Sequence, residues 1–470
     1  MENVIQFDGK ILVLGFGTVA QCLIDVINNH VILPPENIIV IEPGEATEQD
    51  VEKIVNKGYQ YVSCNKLTKK NYKKTLEHYF FSGDLLVNLT CSVDAIDIME
   101  FAHSKGLLYV DSSFEIWAED QVEEMGDMQH QTLYALHNRA REVSKRWEKN
   151  SPTAITNHGA NPGIVNHLTK AALVELAKHL GIFKQAPETR EQWAELARKC
   201  SVKVIHISER DTQISHSPKP IDEFRNTWSV QAFMDEATSL AELGWGTHEK
   251  TLPSHAITHN TGSKNALFFH RYGCDIVVKS WLPDGGQIYG YLMPHSECVT
   301  LSQYFTVFED SAVVYRPTVK FAYLPAPDAF VSIHEYMMSN WTPHAKAKII
   351  KDDIITGSDE LGILLMGHNR KTFWYGSQVD IHRARQIVPG HNATTMQVIG
   401  GVISAIIWCL TNPKQGYCET EDLPYQDILS IAEPYISPIY QSFSDWSPTN
   451  NEENMTEDDR WQFKNYLVRT

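Results

Sequence analysis

Cysteine pairs are missing from this chain: its eight cysteines, at positions 22, 64, 91, 200, 274, 298, 409 and 418, include no C-x-x-C spacing. That pattern argues against a structural zinc site and a disulfide scaffold. It fits free thiols in a reducing compartment, so a cytoplasmic protein is expected. None of the twenty histidines falls in an H-E-x-x-H or similar spacing, and no metal is expected. Basic residues are also few: 41 Lys and Arg stand against 58 Asp and Glu, a formal charge of −17, which disfavours nucleic acid and anionic membranes as partners. A cationic substrate would suit that balance, although most of the carboxylates are expected to be solvated surface. Long apolar runs are scarce. The longest, Met396 to Leu410, has 15 residues with two glycines and a serine. It falls short of the roughly 18–20 residues that cross a bilayer and reads as a buried helix. The opening segment, Met1 to Asp8, carries acidic residues and no apolar stretch, unlike a secretory signal.

What is present is the pattern of an α/β protein. Short apolar runs at Ile11–Leu14, Asn37–Ile41, Leu85–Leu89 and Leu107–Val110 alternate with longer amphipathic stretches, as βαβ units around a parallel sheet do. A charged helical segment over Glu119–Asn150 leads to Ser151-Pro152, the expected hinge. Beyond it, strand-like runs (Val202–Ser208, Asp275–Trp281, Gln287–Met293, Val299–Phe308) mix irregularly with helices such as Val165–Leu180. The expected fold is therefore a Rossmann-like doubly wound parallel sheet over 1–150. A second α+β domain with a mixed or antiparallel sheet follows over 151–394, then a C-terminal extension over 413–470. An uncharged helix near 395–412 is expected between layers, where it could complete the first domain.

The string Gly15-Phe16-Gly17-Thr18-Val19-Ala20 follows the first strand and opens a helix. The first glycine permits the tight turn, the second lets backbone approach a pyrophosphate, and the small Ala20 lets helix and strand pack closely. A lone G-x-G-x-x-A is a weak signal; here the strand before it, the helix after it and a second strand ending in an acid supply the context that makes it a dinucleotide fingerprint. Glu42 ends that second strand, where a carboxylate accepts both ribose hydroxyls of NAD and repels a 2′-phosphate. No Lys or Arg lies between Glu42 and Lys53, so NAD is expected over NADP. Thr90, Asp111 and Ser112 follow the carboxyl ends of later strands and belong to the expected cofactor side along with Gly15, Gly17, Thr18 and Val19.

Several longer strings resemble the bacterial-type homospermidine synthases, relatives of the saccharopine and carboxynorspermidine dehydrogenases. They are Asn157-His158-Gly159-Ala160-Asn161-Pro162-Gly163, Glu209-Arg210-Asp211-Thr212-Gln213, Asn226-Thr227-Trp228-Ser229-Val230 and Glu242-Leu243-Gly244-Trp245-Gly246-Thr247-His248-Glu249. Asp359-Glu360-Leu361-Gly362 and Trp374-Tyr375-Gly376-Ser377-Gln378 extend the likeness toward Tyr440. The resemblance implies a reaction without net redox change. NAD takes a hydride from the amine-bearing carbon of putrescine, the imine exchanges ammonia for a second amine, and the new imine is reduced by the same cofactor. It further implies that Glu209 grips the reacting amine and that Glu115 and Glu236 are carboxylates nearer the entrance. Asn161 and His295 would line the pocket, and Trp228 would face the cationic intermediate. Where relatives carry an acid after the V-N-L strand, this chain has Ser92, with Asp94 two residues on.

Each residue also has a structural reading. Glu209 beside Arg210 and Asp211 could be an ion-pair cluster; Glu115 and Glu236 could be solvated; His295 after Pro294 could be a turn residue; Trp228 could be core. Two rival functions stand beside the first: a carboxynorspermidine- or saccharopine-type dehydrogenase, which needs an Arg or Lys for an α-carboxylate, and a non-catalytic NAD-binding regulator. A homodimer is expected from the chain's size and class.

Overall fold

The computed structural model describes residues 4–44, 46–121, 125–368, 372–449 and 455–468. Residues 1–3 of the opening segment and 122–124 of the helical segment expected over Glu119–Asn150 lie outside these. The chain begins its first sheet with β1 (Ile11–Leu14), buried at every residue. A strand apolar on both faces belongs inside a parallel sheet covered on both sides. The sheet is completed by β2 (Ile38–Glu42), β3 (Gln60–Ser63), β4 (Leu85–Asn88), β5 (Leu108–Asp111) and β6 (Ala154–Ile155); α1 (Thr18–Val26), α2 (Ala95–Ser104) and α3 (Leu133–Ser144) are among its helices. The spatial order is β3-β2-β1-β4-β5-β6 with Tyr417–Cys418 as a seventh strand, every pair parallel. Winding reverses between β1 and β4, so a ligand crevice opens beyond their carboxyl ends.

The boundaries differ in detail from the expectation. Strand β6 lies beyond Ser151-Pro152, so the parallel sheet runs on to Ile155, and Tyr417–Cys418 returns part of the expected C-terminal extension to that sheet.

The second sheet has ten strands: β7 (Val204–Asp211), β8 (Leu240–Gly244), β9 (Ala256–Thr258), β10 (Ala266–Tyr272), β11 (Val277–Leu282), β12 (Gly286–Tyr291), β13 (Thr318–Leu324), β14 (Ser358–Met366), β15 (Thr372–Asp380) and β16 (Ile439–Ser444). Its path is β9-β10-β8-β13-β7-β14-β15-β16, with the β11–β12 hairpin joined to β13. Strands β7 and β13 pair in parallel and the other pairs are antiparallel, which makes the sheet mixed. Its helices include α4 (Ile164–His179), α5 (Val230–Ala237), α6 (Ser296–Tyr304), α7 (Pro327–Met338) and α8 (Ala393–Thr411).

Two expectations are corrected here. The strand expected over Val299–Phe308 is mostly helix α6, with a three-residue strand at Val307–Glu309 after it. Every residue from Ser296 to Ser302 is buried, so α6 shows no solvent-facing stripe, and its β-branched residues imitate a strand. The apolar helix is longer than its 15-residue core: α8 has 19 residues, enough by length and composition to cross a membrane, but 15 of them are buried. It packs on α1 and β5 from one sheet and on β14 and β15 from the other.

Candidate active site

A cavity of about 800 Å³ lies between the two sheets. Its first wall is the glycine turn. Gly15 has φ +90°, and a Cβ there would meet the Leu89 carbonyl at 2.9 Å, so the turn requires glycine at this point. Gly17 caps α1 with no side chain over the first-turn amides, and a Cβ at Gly17 would meet nothing within 4 Å. The free N–H groups at the start of α1 thus face open space, as a pyrophosphate cradle requires. Gly17, Thr18, Val19, Thr90 and Ser112 line the cavity.

Gly15, Glu42 and Asp111 do not line it. Glu42, half-buried at the end of β2, accepts the Phe16 N–H at 2.5 Å and so leans against the glycine turn. Lys53 and Lys57, the first lysines after it, both pair with Asp25, at 2.6 and 3.1 Å. Asp111 is sealed behind the wall. Its Oδ1 accepts the Asn157 N–H at 2.6 Å, and burial pushes its carboxyl up to about 8. Asn157, at φ +57°, in turn accepts the Phe114 N–H at 3.0 Å and the Ser296 hydroxyl at 3.2 Å. This knot ties the end of the parallel sheet to the turn that carries Asn161, a role the sequence pattern had not distinguished from cofactor contact.

The second wall carries charge. Residues alternate sides along a strand, and on β7 Arg210 turns away from the cavity to pair with Glu360 at 2.8 and 3.0 Å. Glu209 is left on the cavity side, 5% exposed, with no Lys or Arg on the described lining to pair with it; its Oε2 accepts the Asn161 amide N–H at 2.8 Å. Burial raises its carboxyl well above the usual range, Asp211 and Glu236 add to the rise, and His295 and Asn161 oppose it. His295 stands between two carboxylates, with Nε2 2.6 Å from Glu236 and Nδ1 3.2 Å from Glu297. Burial works against charge on this ring, but the two acids outweigh it and hold the imidazole protonated, its proton affinity well above the ordinary value. The ring lies 4.2 Å from that of Phe321.

Trp228 donates its indole N–H to the Tyr323 hydroxyl at 3.1 Å. Phe321 and Tyr323, two apart on β13, present stacked rings to the same cavity. Glu115 accepts from the Ser113 hydroxyl and the Ser92 N–H, both at 3.4 Å; burial, then Asp235 and Glu236, push it up to about 7. Ser92 itself does not line the cavity. Asp94 caps α2 and is gripped by Arg139 at 2.6 and 3.0 Å, so it is not turned to the cavity either.

All six residues expected on the substrate side, Asn161, Glu209, Trp228, Glu236, Glu115 and His295, therefore meet in one space. Asp235 and Glu242 join them, along with the β13 rings. The i, i+2 aromatic pair on an apolar strand could have marked those rings, whereas Asp235 gave no signal beyond standing next to Glu236. Glu242 is engaged by the Leu133 and Tyr134 N–H groups at 2.9 and 3.0 Å. The lining thus holds Glu115, Glu209, Asp235, Glu236 and Glu242 but no Lys or Arg among the described residues. No cluster suited to a metal ion occurs among them.

A parallel dinucleotide sheet joined through a shared cavity to a mixed sheet defines a class of two-domain nicotinamide enzymes. Residues 11–155 match the family model of the saccharopine dehydrogenase NADP binding domain, and residues 159–441 match that of the saccharopine dehydrogenase C-terminal domain. Homospermidine synthases from Mesorhizobium japonicum and Blastochloris viridis are each 36% identical to this chain over 99% of its length, covering 97% and 98% of theirs. The crystal structure of a homospermidine synthase from Legionella pneumophila in complex with NAD has a TM-score of 0.91 at 35% identity, covering 100% of both chains. The chain belongs to the homospermidine synthase family.

Proposed function

We propose that this protein is an NAD-dependent homospermidine synthase that joins two putrescines, or putrescine and a related polyamine, with release of ammonia. The observation that carries this reading is the sign of the cavity: five carboxylates and no Lys or Arg among the described lining residues, with His295 already shared between Glu236 and Glu297. Buried anions without cations are costly unless a cationic ligand completes them. A saccharopine-type imine reduction would need a base for the α-carboxylate, which this lining lacks. When bound, NAD supplies an acceptor for the hydride of the amine-bearing carbon and returns it later, so the overall reaction is redox-neutral. Preference for NAD over NADP is supported by Glu42 and by the occupation of Lys53 and Lys57 at Asp25.

The chain's own residues then divide the work. Glu209 binds the reacting ammonium and, its proton affinity raised by burial, takes the proton that the nitrogen must lose before the hydride can leave; the Asn161 amide, by holding Oε2, fixes the carboxylate's orientation. The π face of Trp228 steadies the iminium charge, a contact worth about 2 kcal/mol or more when desolvated. The His295–Glu236 pair can give and take a proton at Nε2 while ammonia leaves and the second amine enters. Glu115 draws in the incoming ammonium. The eight free cysteines suit the reducing cytoplasm, and a homodimer remains the expected assembly.

The test is incubation with putrescine and a catalytic amount of NAD. Homospermidine and ammonia should form in equal amounts with no accumulation of reduced cofactor. Reduced cofactor rising in proportion to consumed amine would point instead to an ordinary dehydrogenase, and absence of turnover to a regulator.

A further inference from the structure

We infer that the outer end of this cavity is a cage for a distal ammonium, built from the Asp235 carboxylate and the rings of Tyr272, Tyr336 and Trp341. It rests on the amine-coupling reading above and assigns the cage one occupant: the far nitrogen of the acceptor diamine, which becomes a terminal nitrogen of the product.

Asp235 sits on α5 one residue before Glu236 and lines the cavity. Its Oδ1 accepts the Gln231 side-chain N–H at 2.9 Å, one helical turn away. Its Oδ2 is buried without a donor among the described residues. A sealed carboxylate oxygen with no donor is rare and costly, and calls for an explanation. No lysine or arginine on the lining supplies one, and Asp94 is committed to Arg139.

The rings supply the second observation. Trp341 packs edge-on against Tyr272 and Tyr336, with centroids 5.3 and 5.4 Å apart, and all three line the same cavity. Asn340 and Trp341 both take left-handed backbone, at φ +52° and +62°. That region is sparsely used by bulky residues, and strain of this kind collects at ligand clamps. Here it turns the chain after α7 so that the indole stands at the cavity beside Asn340, which is exposed. Aromatic faces with one unmatched carboxylate are the chemistry that recognises an alkylammonium. Within the cage the Tyr336 hydroxyl feels the charge of Asp235, and so does the neighbouring Glu115 carboxyl. Burial holds Asp235 itself above the usual carboxylate range, as befits an acid awaiting a cation.

The test uses the full-length, NAD-loaded enzyme with putrescine as donor and either putrescine or n-butylamine competing as acceptor. The wild type should favour the diamine acceptor. Asp235→Asn should raise KM for putrescine about tenfold or more, with a smaller change in kcat, and shift the product ratio toward the butyl product. Trp341→Leu should act in the same direction, and Trp341→Phe should restore most of the preference. If both Asp235→Asn and Trp341→Leu, with normal melting temperature and NAD content, keep the wild-type KM and product ratio, the cage is overturned. Should the wild type couple no diamine at all, the proposed function falls. The cage is then judged by calorimetry: Asp235→Asn must narrow the affinity gap between putrescine and n-butylamine, and an unchanged gap overturns it.

Discussion

The two walls of the cavity present opposite chemistries by different means. The wall built from β1, α1 and the ends of β4 and β5 offers backbone: a glycine turn, uncapped amides, and the small side chains of Thr18, Thr90 and Ser112. The wall built from β7, α5 and β13 offers side chains: carboxylates, one imidazolium and aromatic rings. An anion such as pyrophosphate is held by fixed N–H dipoles that need no counter-charge in the empty site. Cations are met by acids whose ionisation burial opposes. The glycine turn and its amides are therefore indifferent to pH near neutrality, whereas the buried acids, Glu115 just beyond β5 among them, are poised by it.

The largest expected effect comes from erasing the charge at the acid proposed to grip the reacting amine. Glu209→Gln keeps the size and the partner of Asn161, so NAD binding and melting temperature should hold while kcat/KM falls roughly 10²–10⁴-fold, as for loss of a positioned charged group. Steady-state kinetics on NAD-loaded protein check this, and near-wild-type activity would return Glu209 to a structural reading. On the opposite wall, Gly17→Ala tests backbone alone. Its Cβ meets no protein atom within 4 Å and φ is −70°, so the fold should not notice it. Only a pyrophosphate pressed against the turn would, and the Kd for NAD should rise about tenfold or more. An unaltered Kd by calorimetry would mean that the dinucleotide lies elsewhere.

The smallest effect is a titration. Glu115, pushed up to about 7, is neutral below that pH and charged above it, whereas the ammonium stays charged until about pH 10. KM for putrescine should therefore fall as pH rises through about 7, and Glu115→Gln should flatten that part of the profile. A profile unchanged by the substitution would show that another group sets it.

Legibility followed the same division. The strand at Ile11–Leu14, the glycine turn and the helix after it are contiguous, so one stretch of sequence carries both the motif and its context. The second wall is assembled from β7, α5, β13 and the loop beyond α7, and no local pattern records that they converge. Glu209, Trp228 and His295 could be singled out through resemblance to a family. Asp235 and Trp341, outside the quoted strings, could not. Helix α6 misled because propensity is a local signal while burial on all sides is a tertiary one. Asp111 was assigned by its position after a strand, and only coordinates distinguish an acid facing a cofactor from one turned inward to hold Asn157.

The helix Ala393–Thr411 belongs to neither half alone: it is inserted late in the chain yet rests on both sheets. Its apolar surface is satisfied only when each half is present. Cutting the chain near residue 158 would therefore leave the dinucleotide half without one of the helices that cover its sheet, and the other half with the side of that helix that faces α1 and β5 uncovered. The cofactor unit of this enzyme is accordingly not a cassette that recombination could lift out and fuse elsewhere. In biogenesis, the strands through Ile155 leave the ribosome well before α8 and the Tyr417–Cys418 strand that complete their sheet, so lasting compaction of the amino-terminal half should wait for synthesis to pass residue 418.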